Sequence, residues 1–412
     1  MKNNKLTPME FKWVIYDIGN SAFILLVTTI IPIYFNSISK AEGIAENAYL
    51  SYWSYAASIS TLIVAILGPI LGTIADYKGN KKKIFLISAF AGAIGLACFW
   101  IPNSMLGFLS LFVGAKVAYS ISLIIYDSMI NDITTEERMD MVSTKGYAWG
   151  YIGSVVPFVI SLIFILFNEK IGISMTTAMI ISFLLNAIWW IAFTLPLAKN
   201  FKQKYFVEKE PKVISQTFSR LFQTLKEAKK QKKVFLFLLA FFFFIDGVYT
   251  IIDMATAYGT SLGLDTTGLL LALLVTQIVA FPASLIFAVL SKKKNSESLI
   301  KICILAYFCI ALYAIQLDKQ WEFWLLAVAV GCFQGGIQAL SRSYYAKIIP
   351  QENSGEYFGL LDICGKGASF IGTLIMGVVT QITGHQNIGV AAISVLFLIG
   401  FYLFNQVCKI KD

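Results

Sequence analysis

Ionisable and amide side chains recur inside long apolar runs of this sequence, and they fall into four groups. The run at 11–35 carries Asp17, Asn20 and Ser21, at offsets that place all three on one helical face. The run at 105–133 carries Lys116, Tyr119, Ser120 and Asp127, and Asp127 returns to the face of Lys116. Asp246, Tyr249, Thr250 and Asp253 form one stripe in the run at 234–259, and Gln334, Gln338, Ser341 and Arg342 another at 322–349. An ionisable group in hydrocarbon costs at least about 2.5 kcal/mol unless it is paired or hydrated. Groups retained at that cost are candidates for handling a polar or charged solute. A carboxylate there binds a proton or an ammonium, and an ammonium binds a carboxylate. Amides and phenols orient what sits between them.

Depth sorts these residues. At about 1.5 Å rise per residue, Asp246 lies roughly 18 Å into its run, near mid-membrane. It is the first candidate for binding a coupling proton or a substrate amino group, with Asp17 or Asp253 as further proton sites. Lys116 is the corresponding candidate for a substrate carboxylate, and a structural salt bridge between Lys116 and Asp246 is the competing reading. Asn20, Tyr119, Tyr249, Gln334 and Gln338 complete the expected substrate contacts. Arg342 either forms a gating bridge to Asp17 or snorkels to the headgroups. Asp362 and Lys366, four apart, read as a self-neutralising pair. Gln277, Asn186 and Gln381 read as glue between helices.

The elements that must hold such residues follow from composition. The chain has 412 residues, 57% hydrophobic and only 14% charged, whereas a soluble protein is about a quarter charged. Apolar runs of about 20 residues span a bilayer as helices, and twelve run from 11–35 to 388–408. The expected fold is therefore an all-α polytopic membrane protein with twelve transmembrane helices in two pseudo-repeated six-helix bundles. Residues 1–196 and 234–412 are the bundles, and 197–233 is a basic linker. The linker carries eleven Lys and Arg and reads either as an interfacial helix on anionic lipid or as a solvated tie. With both termini in the cytoplasm, 28 of the 33 Lys and Arg lie on the cytoplasmic side, as the positive-inside rule requires. The membrane is read as the plasma membrane, and the protein as a monomer.

The same inventory excludes other classes. The net charge of +9 sits between apolar runs as orienting charge, so nucleic acid is not an expected partner. The six cysteines lie mostly inside apolar runs, and the lone histidine, His385, lies in a connection. Neither pattern suits a metal or a redox pair. There is no P-loop, nucleophile elbow or zinc motif, so neither an enzyme nor a cofactor is expected.

The two halves echo one another. Lys81-Lys82-Lys83 follows the second span and Lys292-Lys293-Lys294 the eighth, and an acidic loop follows the fourth (Thr135-Glu136-Glu137-Arg138) and the tenth (Gln351-Glu352-Asn353). Between the second and third spans stands Gly72-Thr73-Ile74-Ala75-Asp76-Tyr77-Lys78-Gly79-Asn80-Lys81-Lys82-Lys83. Gly72 allows close helix approach, Gly79 a tight turn, and Asp76 can pair with a cation or a helix N-terminus to latch one conformation. This stretch resembles the signature of the major facilitator superfamily, departing from it at Tyr77, where a basic residue is usual. Trp13–Phe23, Phe242–Ile251 and Gln334–Ser343 narrow the resemblance to the branch of fungal autophagy-associated vacuolar effluxers and their bacterial relatives.

The resemblance implies secondary transport by alternating access, and it associates the branch with efflux of amino acids. The expected substrate is a small polar or zwitterionic metabolite, an amino acid first, moved with protons. Gly72, Asp76, Gly79, Lys81, Lys82 and Arg342 would form the conformational latch. A mover of lipids or amphipathic compounds and a receptor-like protein without transport are the alternatives.

Overall fold

The computed structural model describes residues 5–44, 46–208 and 229–410. Within them the regular structure is helical, apart from one isolated bridge between Tyr77 and Val207. The elements are α1 (Pro8–Thr28), α2 (Ile30–Ala41), α3 (Glu46–Asp76), α4 (Lys81–Ala97), α5 (Met105–Ser128), α6 (Ile130–Ile133), α7 (Glu136–Leu166), α8 (Asn168–Ile171) and α9 (Met175–Asn200). After the linker come α10 (Lys232–Ser261), α11 (Thr266–Leu290), α12 (Ser296–Ala314), α13 (Gln320–Ile348), α14 (Ser354–Thr383) and α15 (Gln386–Lys409).

Among the described residues, ten helical stretches are long and apolar enough to cross a bilayer. The 17-residue α4 and α14, whose apolar part is Ile371–Thr383, complete a set of twelve. The chain is thus an all-α, multi-pass membrane protein. The middle of the linker, where the interfacial helix was expected, lies outside the described residues, as does the side chain of Lys366.

Local chemistry sets the helix ends. Thr7 caps α1 through a reciprocal pair with Glu10, and Pro8 occupies the first helical position. The first span is interrupted at Thr29, where Thr28 and Thr29 turn their hydroxyls back onto the carbonyls of Ile24 and Leu25. The acidic stretch at 135–138 is not a loop beyond its first residue. Glu136 and Glu137 open α7, because carboxylates are favourable in the first turn of a helix.

The chain forms two compact units. The first comprises Met1–Ile133, Trp149–Val213 and Glu352–Phe358, and the second Thr134–Ala148, Ile214–Gln351 and Gly359–Asp412. Both α7 and α14 therefore begin in one unit and continue in the other. In the first unit α1 packs on α9, α3 and α4 on α5, and α4 on α9. Its core is aromatic: Trp13 stacks on Tyr126 at 4.4 Å, and Tyr16 meets Phe85 edge-on at 4.9 Å. In the second unit α11 packs on α13, α10 on α15, and α12 on both α13 and α15. Phe237, Tyr344 and Phe404 cluster there. Of the run Phe241–Phe244, Phe241 and Phe244 are buried, while Phe242 and Phe243 are half-buried.

Candidate functional site

In the first unit the last residue of α3 meets the first turn of α14. The Asp76 carboxylate accepts from the backbone amides of Gly355 at 2.8 Å and Glu356 at 2.9 Å. These are unsatisfied donors at the positive end of a helix, so a carboxylate fits them both by geometry and by charge. A Cβ on Gly72 would overlap the carbonyl of Gly355, so only glycine lets α3 come this close. Lys81, wholly buried, donates to Asp132 Oδ2 at 3.0 Å and to Ser354 Oγ at 2.9 Å, with Asp76 Oδ1 at 3.7 Å. Gly79 turns the chain with a φ of 78°, in the left-handed region. Lys82 is half-buried beside this cluster.

Farther along α1, Asp17 Oδ2 accepts from the Tyr126 hydroxyl at 2.8 Å and Oδ1 from the Asn20 amide at 3.1 Å. Tyr119 lies against Phe23 and Trp190 at 4.6 and 5.6 Å. The Lys116 ammonium stands 5.8 Å from the centre of the Phe112 ring. Asp17, Asn20 and Tyr119 are buried and Lys116 is half-buried.

In the second unit Asp246 on α10 is fully buried. Its Oδ1 accepts from the amide of Gly372, in the middle of α14, at 2.8 Å and from Thr250 Oγ1 at 3.3 Å. Its Oδ2 is buried and has no hydrogen-bond partner among the described residues. Thr250 also lines a cavity of about 100 Å³, together with Tyr258, Thr276, Gln277 and Gln334. The remaining walls, Phe323, Val330 and Ile393 among them, are apolar. Tyr249 and Gln338 are half-buried, and Asp253 is exposed.

A second polar cluster in this unit centres on Asp140 of α7. Its Oδ1 accepts from Ser343 at 2.6 Å, and its Oδ2 from Ser296 at 2.6 Å and Lys347 at 2.7 Å. Arg342 is 4% exposed, which excludes snorkelling. Its guanidinium donates to Ser143 Oγ and the Ser143 carbonyl and lies 4.4 Å from the Tyr147 ring centre.

Several of these residues escape sequence reasoning. Asp132 and Ser354 complete the Lys81 cluster, Gly372 anchors Asp246, and Asp140 and Lys347 anchor the second cluster. No local pattern marks them. Gln277, which reads as glue by its isolation, lines the cavity.

Comparison with known proteins gives consistent likenesses. Residues 10–410 match the family described as vacuole effluxer Atg22 like. The chain is 41% identical over 404 residues to the uncharacterised MFS-type transporter YxiO of Bacillus subtilis, across 97% of this chain and 94% of that protein. It is 27% identical over 295 residues to autophagy-related protein 22-2 of Neosartorya fischeri, across 63% of this chain and 48% of that protein. That match therefore spans about half the fungal relative. The crystal structure of FucP, a major facilitator superfamily transporter, superposes with a TM-score of 0.71 over 99% of this chain and 100% of that one. At 14% identity that likeness is one of fold.

Proposed function

Because this chain belongs to the Atg22-like vacuole effluxer family of major facilitator transporters, we propose that it moves a small polar or zwitterionic metabolite, an amino acid first, by proton-coupled alternating access. It is a secondary transporter and not an enzyme. The observation that carries the finer reading is Asp246: a fully buried carboxyl, with one oxygen unpartnered among the described residues, linked through Thr250 to a cavity. A carboxyl so placed can take up a proton or an ammonium without first losing a strong partner. Asp17 and Asp253 are the secondary proton sites. Lys116 takes a substrate carboxylate, and Asn20, Tyr119, Tyr249, Gln334 and Gln338 orient the rest.

Gly72, Asp76, Gly79, Lys81 and Lys82 act as the latch, with Arg342 as a gate residue. Residues 1–196 and 234–412 move as six-helix halves joined by the basic linker 197–233. Both termini face the cytoplasm and the membrane is the plasma membrane; the excess of Lys and Arg in alternate connections supports this orientation. The protein works as a monomer, and net movement is outward.

The test is uptake of a labelled amino-acid pool into proteoliposomes, with and without an imposed pH gradient, beside Asp246→Asn. Gradient-driven accumulation that disappears in the variant is the expected result. Full accumulation by Asp246→Asn would refute proton coupling through this residue. The largely apolar cavity walls favour one second reading, transport of an amphipathic compound. Movement of such a compound, with no movement of amino acids in the same vesicles, would establish it instead.

A further inference from the structure

The motif loop after α3 is held by a segment that the motif does not contain. A helix leaves its last carbonyls without partners, and α3 finds them on residues 201–207. Gln203 Nε2 donates to the carbonyls of Ala75 and Asp76 at 3.2 and 3.3 Å, and to that of Tyr205 at 3.2 Å. Gln203 Oε1 accepts from the amide of Gly79 at 3.0 Å. Val207 N–H donates to the Asp76 carbonyl at 2.9 Å, and Lys78 N–H donates to the Val207 carbonyl at 3.2 Å. The same segment grips Asp132, whose Oδ1 accepts from the amides of Lys204 and Tyr205 at 2.7 and 3.0 Å. Its side chains alternate over 201–204. Phe201 is buried and Gln203 half-buried, whereas Lys202 and Lys204 are exposed.

We propose that residues 201–207 form a strap that sets the latch, with Gln203 as its positioning residue. The strap fixes the last turn of α3, and that turn aims the Asp76 carboxylate at Gly355 and Glu356. On its other side the strap occupies one oxygen of Asp132 and leaves the other for Lys81. Both acids of the cluster are thereby oriented from outside the motif. This also accounts for Tyr77. Where the superfamily signature has a base, this chain has a tyrosine that is 3% exposed and lies in the bridge to Val207. At this position a backbone clamp holds the loop, and the neighbouring Lys78 adds an exposed ion pair to Glu208 at 3.2 Å. The proposal rests on the latch reading for its role in transport, but the contact it predicts is measurable without a substrate.

The experiment is amide hydrogen exchange, read by mass spectrometry on the full-length protein in lipid nanodiscs. The informative peptide covers Gly355 and Glu356, while among the described residues Gln203 itself bonds Ala75, Asp76, Gly79 and Tyr205. Gln203→Ala should speed exchange there by about tenfold. Gln203→Glu, which aims a carboxylate at the same carbonyls, should do so at least as strongly. Gln203→Lys keeps a donor for those carbonyls and should restore most of the protection. Lys202→Ala with Lys204→Ala, on the exposed side of the strap, should leave exchange unchanged. A side chain needed only for bulk would let Glu and Lys behave alike, and that outcome overturns the proposal. So do wild-type exchange in Gln203→Ala and loosening that extends equally to α12. Because the readout is independent of cargo, failure of the amino-acid reading would leave this result standing, and the reverse also holds.

Discussion

Lys81 Nζ lies 3.0 Å from Asp132 Oδ2, with both side chains at 0% exposure. A buried pair is weak evidence of stability by itself, yet removing one partner strands the other charge, at about 3–5 kcal/mol. Asp132→Asn keeps an acceptor for the strap amides but loses the charge opposite Lys81. It should lower the thermal midpoint by the equivalent of about 3 kcal/mol. Adding Lys81→Met should recover part of that loss, because no ammonium then remains buried. Thermal unfolding of the two single variants and the double variant gives the coupling directly.

The clasp between α10 and α14 is equally exacting. A Cβ on Gly372 would overlap Thr250 Oγ1 and lie 2.5 Å from Asp246 Oδ1. Gly372→Ala should cost about 1–3 kcal/mol by overpacking, and it should abolish uptake in proteoliposomes. Combining it with Thr250→Ala removes one of the two clashes and should return part of the stability, with uptake still impaired.

If the cavity of the second unit receives the cargo, filling it separates function from stability. Ala327 is 8% exposed and lines that cavity. Ala327→Leu should reduce uptake by at least about tenfold, since added methylenes occupy the space a ligand needs. Burying apolar surface in a void stabilises by about 0.8 kcal/mol per methylene, so the thermal midpoint should hold or rise. Uptake at the wild-type level would place the cargo elsewhere.

The connection between α11 and α12 supplies a pH prediction. The Lys292 ammonium is buried without a hydrogen-bond partner among the described residues. Burial, with Arg138 nearby, pulls its pKa below the ordinary 10.5. The folded protein therefore releases this proton at lower pH than the unfolded chain. Stability should be constant in this respect below the folded value, then rise with pH up to about 10.5, where the unfolded chain binds more protons. Lys292→Met should melt higher than wild type at pH 7, with a gap that narrows as the pH approaches 10.5. A gap independent of pH would assign the difference to packing.

The helices were legible because apolar runs of spanning length admit few alternatives in lipid. Gly72, Asp76 and Lys81 were legible because they belong to one contiguous motif. Their partners were not: Ser354 lies 273 positions from Lys81, and no periodicity reaches that far. The stretch at 135–138 reads as a loop by polarity, although its acids suit a helix start. Arg342 reads either as a gating partner of Asp17 or as a residue free to reach the headgroups. Its burial depends on Ser143 and Tyr147, which composition does not single out. The cavity was the least legible feature, because a void arises where the packed helices fail to meet and not from any residue that lines it.

The meeting of α3 and α14 also bears on how this contact can change over generations. A Cβ on Gly72 would overlap the Gly355 carbonyl, and a Cβ on Gly355 would lie 2.6 Å from the Gly72 carbonyl. Most crowded contacts can drift, since a residue that grows is matched by a neighbour that shrinks. Here each neighbour is already the smallest residue, and the obstructing atom is a main-chain oxygen that no substitution removes. In a suppressor screen, Gly72→Ala would accordingly be rescued by reversion or by changes that shift a whole helix, and not by exchange at the facing position. The joint is an evolutionary ratchet: once two main chains have closed to this distance, neither side can yield alone.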